Sequence, residues 1–143
     1  MLVALNAAEA IVNLLELTKP DLADLAGEFL RCPACKSQVR LKNGRVKMPH
    51  FAHVSLAACH YVSENESLQH LTLKKRLYHW FKQTEQVKIE HFLSDLQQTP
   101  DLLVNEKIAI EIQCSRRSIE RLRERTATYR AHGNTVLWLM GKD

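Results

Sequence analysis

A chain of 143 residues has room for one domain carrying a small appendage, and 45% hydrophobic with 25% charged residues is a globular composition, not a disordered one. No apolar run approaches the roughly 20 residues that a membrane span requires. Residues 1–10 lack the basic cluster of a secretory signal, so a soluble, cytoplasmic protein is expected.

The first elements are short. Residues 2–5 and 11–15 are apolar runs around Asn6-Ala-Ala-Glu-Ala10, the pattern of a hairpin. From Thr18 to Gly27 the spacing predicts a short helix, with Thr18 as cap, Pro20 in the first turn and Gly27 as stop. Short strands are expected at 39–42 and 45–47 around Asn43-Gly44, a strong two-residue hairpin signal, and residues 49–61 read as irregular. From Glu66 the period changes. Leu68, Leu71, Leu73, Leu77, Trp80 and Phe81 recur at helical spacing over about 67–82. Strand-like runs follow at 87–93, 101–104 and 108–114, with Asn105-Glu-Lys107 as the last turn. A second helix is expected over about 118–132, stopped by Gly133. The unbroken apolar run at 135–140 reads as a buried strand. The order from Glu66 is thus α-β-β-β-α-β, an α/β chain with a mixed sheet.

Two constellations carry chemistry. Cys32 and Cys35 form a CxxC pair, followed by His50-Phe-Ala-His53 and Cys59. A thiolate pair two residues apart can grip one tetrahedral zinc, and a histidine plus a third cysteine completes the set. His53 is favoured over His50 because it stands nearer Cys59. Cys114, at the end of an apolar strand, reads as a small buried hydrophobe.

The second constellation is Pro100-Asp101, nine residues, then Glu111-Ile-Gln113. On a strand Glu111 and Gln113 face the same way, and a short hairpin brings Asp101 beside Glu111. Two carboxylates at one end of a hairpin make a hard-oxygen site for Mg²⁺ or Mn²⁺. An acid inside the apolar run 108–114 needs a partner or a metal. Charge layout points the same way. Residues 29–60 hold six Lys/Arg and no acid, residues 83–114 six acids against two lysines, and residues 115–132 six arginines against two acids. An acidic stretch between basic ones suits a phosphate-facing surface with a cation site set into it.

The string PD-x9-E-x-Q inside α-β-β-β-α-β resembles the PD-(D/E)xK nuclease superfamily and, more narrowly, the CoiA-like competence proteins of transformable bacteria. The matching pieces are Cys32-Pro-x-Cys35, His50-Phe-Ala-His53, Glu64-Asn-Glu-Ser67 with His70 and Lys74, Leu77-Tyr-His-Trp80, Pro100-Asp101, Glu111-Ile-Gln-Cys-Ser115, Arg123-x-Arg-Thr126 with Tyr129, and Val136-Leu-Trp-Leu-Met-Gly141. The resemblance implies a restriction-endonuclease-like αβββαβ core over 63–143, preceded by a β-rich zinc-finger-like module over 1–62. Members are typically longer than this chain.

Asp101 and Glu111 match the superfamily's metal-binding acids, and Glu66 matches an extra acid that many members add. Gln113 stands where a lysine is usual. A lysine there orients or deprotonates water and stabilises developing charge, whereas an amide can only hydrogen-bond the water. Some active nucleases of this fold do carry Gln there. Lys42, Arg45 and Lys47 in the finger, with Arg116, Arg117, Arg123 and Arg125, are candidates for phosphate contacts. The resemblance implies a Mg²⁺- or Mn²⁺-dependent deoxyribonuclease with structural Zn²⁺, acting on DNA in transformation and recombination, with recombination proteins as candidate partners. Two alternatives are a non-catalytic DNA-binding accessory that keeps the nuclease fold, and a finger that docks a protein.

Overall fold

A computed structural model describes residues 1–55, 59 and 66–142, in two units, Met1–Glu66 and Ser67–Asp143. In the first unit, β1 (Val3–Leu5) and β2 (Ile11–Asn13) form an antiparallel hairpin closed by the Asn6 side chain, which accepts the N–H groups of Ala8 and Ala10 at 3.0 Å each. Helix α1 (Lys19–Asp24) starts in a capping box: Asp21 Oδ2 accepts the Thr18 N–H at 2.7 Å. Gly27, at φ +93, turns the chain out of the segment that follows. Strands β3 (Leu30–Arg31), β4 (Gln38–Lys42) and β5 (His50–His53) complete a five-stranded sheet in the order β2-β1-β3-β4-β5. The Phe51 N–H donates to Met1 O at 2.8 Å, so the last strand returns to a residue two positions ahead of β1. Leu2, Leu5, Leu30, Val39 and Phe51 are buried here.

Two expectations fail in this unit. Residues 45–47 are not a strand and Asn43-Gly44 is not a two-residue hairpin turn; β4 pairs instead with β5, Lys42 opposite His50, across a longer loop. Residues 50–53 are correspondingly strand, not irregular. Pro49 has no N–H to give a ladder, so pairing begins only after it. The remainder of the segment expected to be irregular (56–58 and 60–61), the division at 62/63, and Glu64 and Asn65 of the family motif lie outside the described residues.

The second unit has the order α2 (Leu68–Phe81), β6 (Val87–Ile89), β7 (Leu102–Val104), β8 (Ile108–Gln113), α3 (Ile119–Ala131), β9 (Thr135–Met140). Its sheet runs β6-β7-β8-β9, antiparallel except for the β8/β9 pair, which is parallel and joined by α3. Serines cap both helices: Ser67 Oγ accepts the His70 N–H and Ser118 Oγ the Arg121 N–H, each at 3.2 Å. Asn105 and Glu106, at φ +51 and +56, make the tight β7–β8 turn. The run expected at 87–93 stops at Ile89, because Glu90 takes φ +48 and turns out of β6.

Central strands β7 and β8 are buried almost throughout, which sinks Glu111 and Gln113. Strand β9 is not the buried strand expected. It lies at the sheet edge with Val136 and Trp138 half covered, while Leu137 and Leu139 are 50% and 42% exposed. An apolar run alone does not separate an interior strand from an edge strand covered on one face. Among the described residues, no helix is long and apolar enough to cross a membrane.

Candidate functional site

Strands β3 and β5 carry a cluster in the first unit. Cys32 follows β3, Cys35 ends the next turn, and His53 closes β5; Cys59 joins them, all four ligand atoms lying within 4.8 Å of one another. Lys36, at φ +62 with its N–H on Cys32 O at 3.0 Å, shapes the knuckle. Cys32 Sγ and Cys59 Sγ are 3.9 Å apart, and Cys35 Sγ is 3.3 Å from His53 Nε2. Thiolates about 2.3 Å from a tetrahedral zinc stand about 3.8 Å apart, so this Cys3His group could hold a metal. His50 is three residues away on the strand and is engaged elsewhere, its Nδ1 2.9 Å from Met48 O. Burial pushes the Cys32 thiol up to about 12. Burial also acts on Cys35, but hydrogen bonds from Ser37, His53 and Cys59 outweigh it and bring that thiol down to about 6.

Asp101 stands just before β7 in the second unit. Its Oδ2 accepts the Ile112 N–H at 2.7 Å, tying it to β8. Its Oδ1 faces α2, 3.1 Å from His70 Nε2 and 2.9 Å from Lys74 Nζ, residues one helical turn apart. Lys74 Nζ also donates to Glu90 Oε1 at 2.7 Å. Burial alone would raise the Asp101 carboxyl, but the Lys74 ammonium, the His70 ring and the Ile112 N–H together hold it well below the usual carboxylate range.

Glu111, in the middle of β8, points to α3. Its Oε1 accepts from Tyr129 Oη at 2.6 Å and from Arg125 Nη2, while its Oε2 makes no hydrogen bond among the described residues. Burial lifts its pKa; Arg125 opposes the rise and the nearby Asp101 charge adds to it. The two acids thus bear on one another electrostatically, each with its own protein donors. Gln113 is buried, and its amide donates to Ser115 O and, at 3.1 Å, to Ser115 Oγ. Glu66, the last residue of the first unit, takes the Met1 ammonium at 3.2 Å.

The basic candidates divide. Lys42 and Arg45 are exposed, as are Arg116, Arg117 and Arg123. Lys47 is half-buried and donates to Glu66 O at 3.1 Å. Arg125 turns inward to Glu111 instead of presenting its charge to solvent, as a buried carboxylate requires. Three members of the centre were not singled out for a role from the sequence: Lys74, Glu90 and Tyr129. The i, i+4 spacing of His70 and Lys74 would have placed both on one face, but their acid partners come from far along the chain. The carboxylate oxygens of Asp101 and Glu111 are hard donors of the kind that suit Mg²⁺ or Mn²⁺, so these acids fit a divalent cation, while the His70 ring beside Asp101 is a softer donor that Mg²⁺ does not favour.

Residues 66–143 match the family model of the nuclease-like domain of competence protein CoiA, and residues 14–62 that of its N-terminal domain. The chain is 33% identical over 114 residues to the competence protein CoiA of Bacillus subtilis (strain 168). That alignment covers 77% of this chain and 31% of the relative, so the chain spans about a third of that protein's length. No solved structure matches the chain.

Proposed function

Because the chain belongs to the competence protein CoiA family, we propose that it processes DNA in transformation and recombination, as a metal-dependent deoxyribonuclease of restriction-endonuclease-like fold in the cytoplasm. The observation that carries this reading is the pair of buried carboxylates, Asp101 before β7 and Glu111 within β8, each fixed by donors from a helix.

A divalent cation held at Asp101 and Glu111 would polarise the scissile phosphate and lower the pKa of an attacking water. The chain's own part is preorganisation. The Ile112 N–H fixes one carboxylate and the Tyr129 hydroxyl the other, so neither must reorient as charge develops. Hydrolysis joins the water oxygen to phosphorus and breaks one P–O ester bond. One water proton ends on the leaving oxygen and the other goes to solvent. Gln113 cannot take that proton at neutral pH; its amide, held by Ser115, braces the end of β8. Exposed Lys42, Arg45, Arg116, Arg117 and Arg123 would contact phosphates without reading sequence, and the Cys3His group would hold a structural zinc. Recombination proteins are the partners we propose beside DNA.

The rival is a DNA-binding accessory without catalysis. The salt bridges of Lys74 to Asp101 and Arg125 to Glu111 favour it, since both acids already have a protein cation. Mg²⁺-dependent cleavage of labelled single-stranded, duplex and branched DNA by wild type and Asp101→Ala decides. Cleavage lost in the variant supports the nuclease. A wild type that binds DNA and leaves it intact supports the accessory.

A further inference from the structure

Lys74 is 1% exposed, and its ammonium lies 2.7 Å from Glu90 and 2.9 Å from Asp101. Burying an ammonium is costly unless it is paired, and one carboxylate would meet the charge. Here the chain brings a second. Glu90 adopts φ +48, a left-handed conformation that a residue with a side chain enters at some cost, and its N–H donates to Asp101 O at 3.0 Å. The backbone makes this last cross-strand bond and turns out of β6 at the residue whose carboxylate holds Lys74. Two anchors fix the Nζ beside Asp101. Position 113, meanwhile, brings no cation to the acid pair: it is glutamine, and its amide is bonded to Ser115.

We propose that Lys74 is a positioning residue for phosphodiester hydrolysis: held by Glu90, it sets beside Asp101, from α2, the fixed positive charge that position 113 of β8 does not carry. This inference rests on the nuclease reading. The charge keeps Asp101 aimed and offsets the negative charge that builds up on the phosphate as the water oxygen bonds to it.

The test compares single-turnover cleavage with the Mn²⁺-induced rise in thermal midpoint, the second being independent of turnover. Lys74→Met is expected to cut about 100-fold more slowly. Mn²⁺ should still raise its midpoint at least as much as in the wild type, because a cation competing for Asp101 is gone. Adding Gln113→Lys to Lys74→Met returns the charge from the strand and should recover cleavage by at least about tenfold, which a purely structural role for Lys74 would not allow. Should Lys74→Met fail to fold, Lys74→Met with Glu90→Gln removes the uncompensated acid as well, and the same loss and the same rescue are expected. Cleavage within about threefold of wild type in either folded variant, or no recovery with Gln113→Lys, overturns the role of Lys74 and leaves the nuclease reading standing. A wild type that cuts no DNA while Mn²⁺ still raises its midpoint overturns the nuclease reading, and the role of Lys74 with it.

Discussion

Tyr129 donates its hydroxyl to Glu111 Oε1 across 2.6 Å, joining the last turns of α3 to the middle of β8. The ring is fully buried, and its hydroxyl is pushed far above the ordinary phenol range by burial and by the Glu111 carboxylate. Phenylalanine keeps the ring and removes one donor from a buried acid. Tyr129→Phe should therefore cost about 1–2 kcal/mol in urea unfolding, with the denaturant dependence unchanged. A loss below about 0.3 kcal/mol would show that Arg125 alone satisfies Glu111.

Glu111 also sets a pH dependence. Its folded pKa is raised above the ordinary 4.5, by burial first, so the folded state holds this proton more tightly than the unfolded state. Stability from this group is fully present below pH 4.5 and is lost as pH rises through the folded pKa. Asp101 works oppositely: its lowered pKa gives stability that is present above 3.8 and lost in strong acid. In a chelating buffer, Glu111→Gln should flatten the fall in stability that the wild type shows above pH 4.5. An unchanged slope would assign that fall to another group.

Much of the second unit is legible in local patterns. Ser67 and Ser118 announce their helices, Gly133 ends α3 at φ +84, and Asn105 turns β7 into β8. What escapes is non-local. The β4–β5 pairing depends on which partner Lys42 meets, and the short His50-Phe-Ala-His53 strand shows its alternation only once Phe51 has a core to enter. Strand β9 looks interior because its apolar residues run without a break, although nothing in that run records whether one or both of its sides are paired. Asp101 and Glu111 are recognisable from spacing, whereas Glu90 and Lys74 depend on a left-handed residue and a helix face far apart in sequence.

The cysteine cluster makes a direct claim on composition. Protein purified without chelator should carry about one zinc per chain, read by elemental analysis. Cys35→Ser removes the thiol that stands 3.3 Å from His53 Nε2 and should release the metal and speed amide exchange across β3, β4 and β5. Full exchange protection in a metal-free Cys35→Ser chain would mean that the first unit's core suffices without metal.

The arginines of the second unit should separate by where they point. If Arg116 and Arg123 meet phosphates, Arg116→Gln and Arg123→Gln should each reduce the slope of log affinity against log salt by about 0.9, with stability unchanged. Arg125 is occupied by Glu111. Arg125→Gln should instead cost about 2 kcal/mol, less than a fully buried pair because the guanidinium is partly exposed, and leave the salt slope nearly unaltered. The reverse pattern would place Arg125 at the phosphate backbone.

Asp101→Asn tests the acid pair most directly. The amide keeps the shape of the side chain and removes its charge, while Lys74 retains Glu90 at 2.7 Å, so the variant should fold with a modest loss of stability. A saturating divalent cation that binds only the folded state should raise the wild-type midpoint by about 5 °C or more. Asp101→Asn should lose that rise, and with it any cleavage, and Glu111→Gln should behave alike. Gln113→Ala loses only bonds to Ser115. It should keep the response to Mn²⁺, lose about 1 kcal/mol of stability and cut more slowly. If Asp101→Asn responds to Mn²⁺ as the wild type does, the carboxylate serves Lys74 and Ile112 alone, and the accessory reading takes the place of the nuclease.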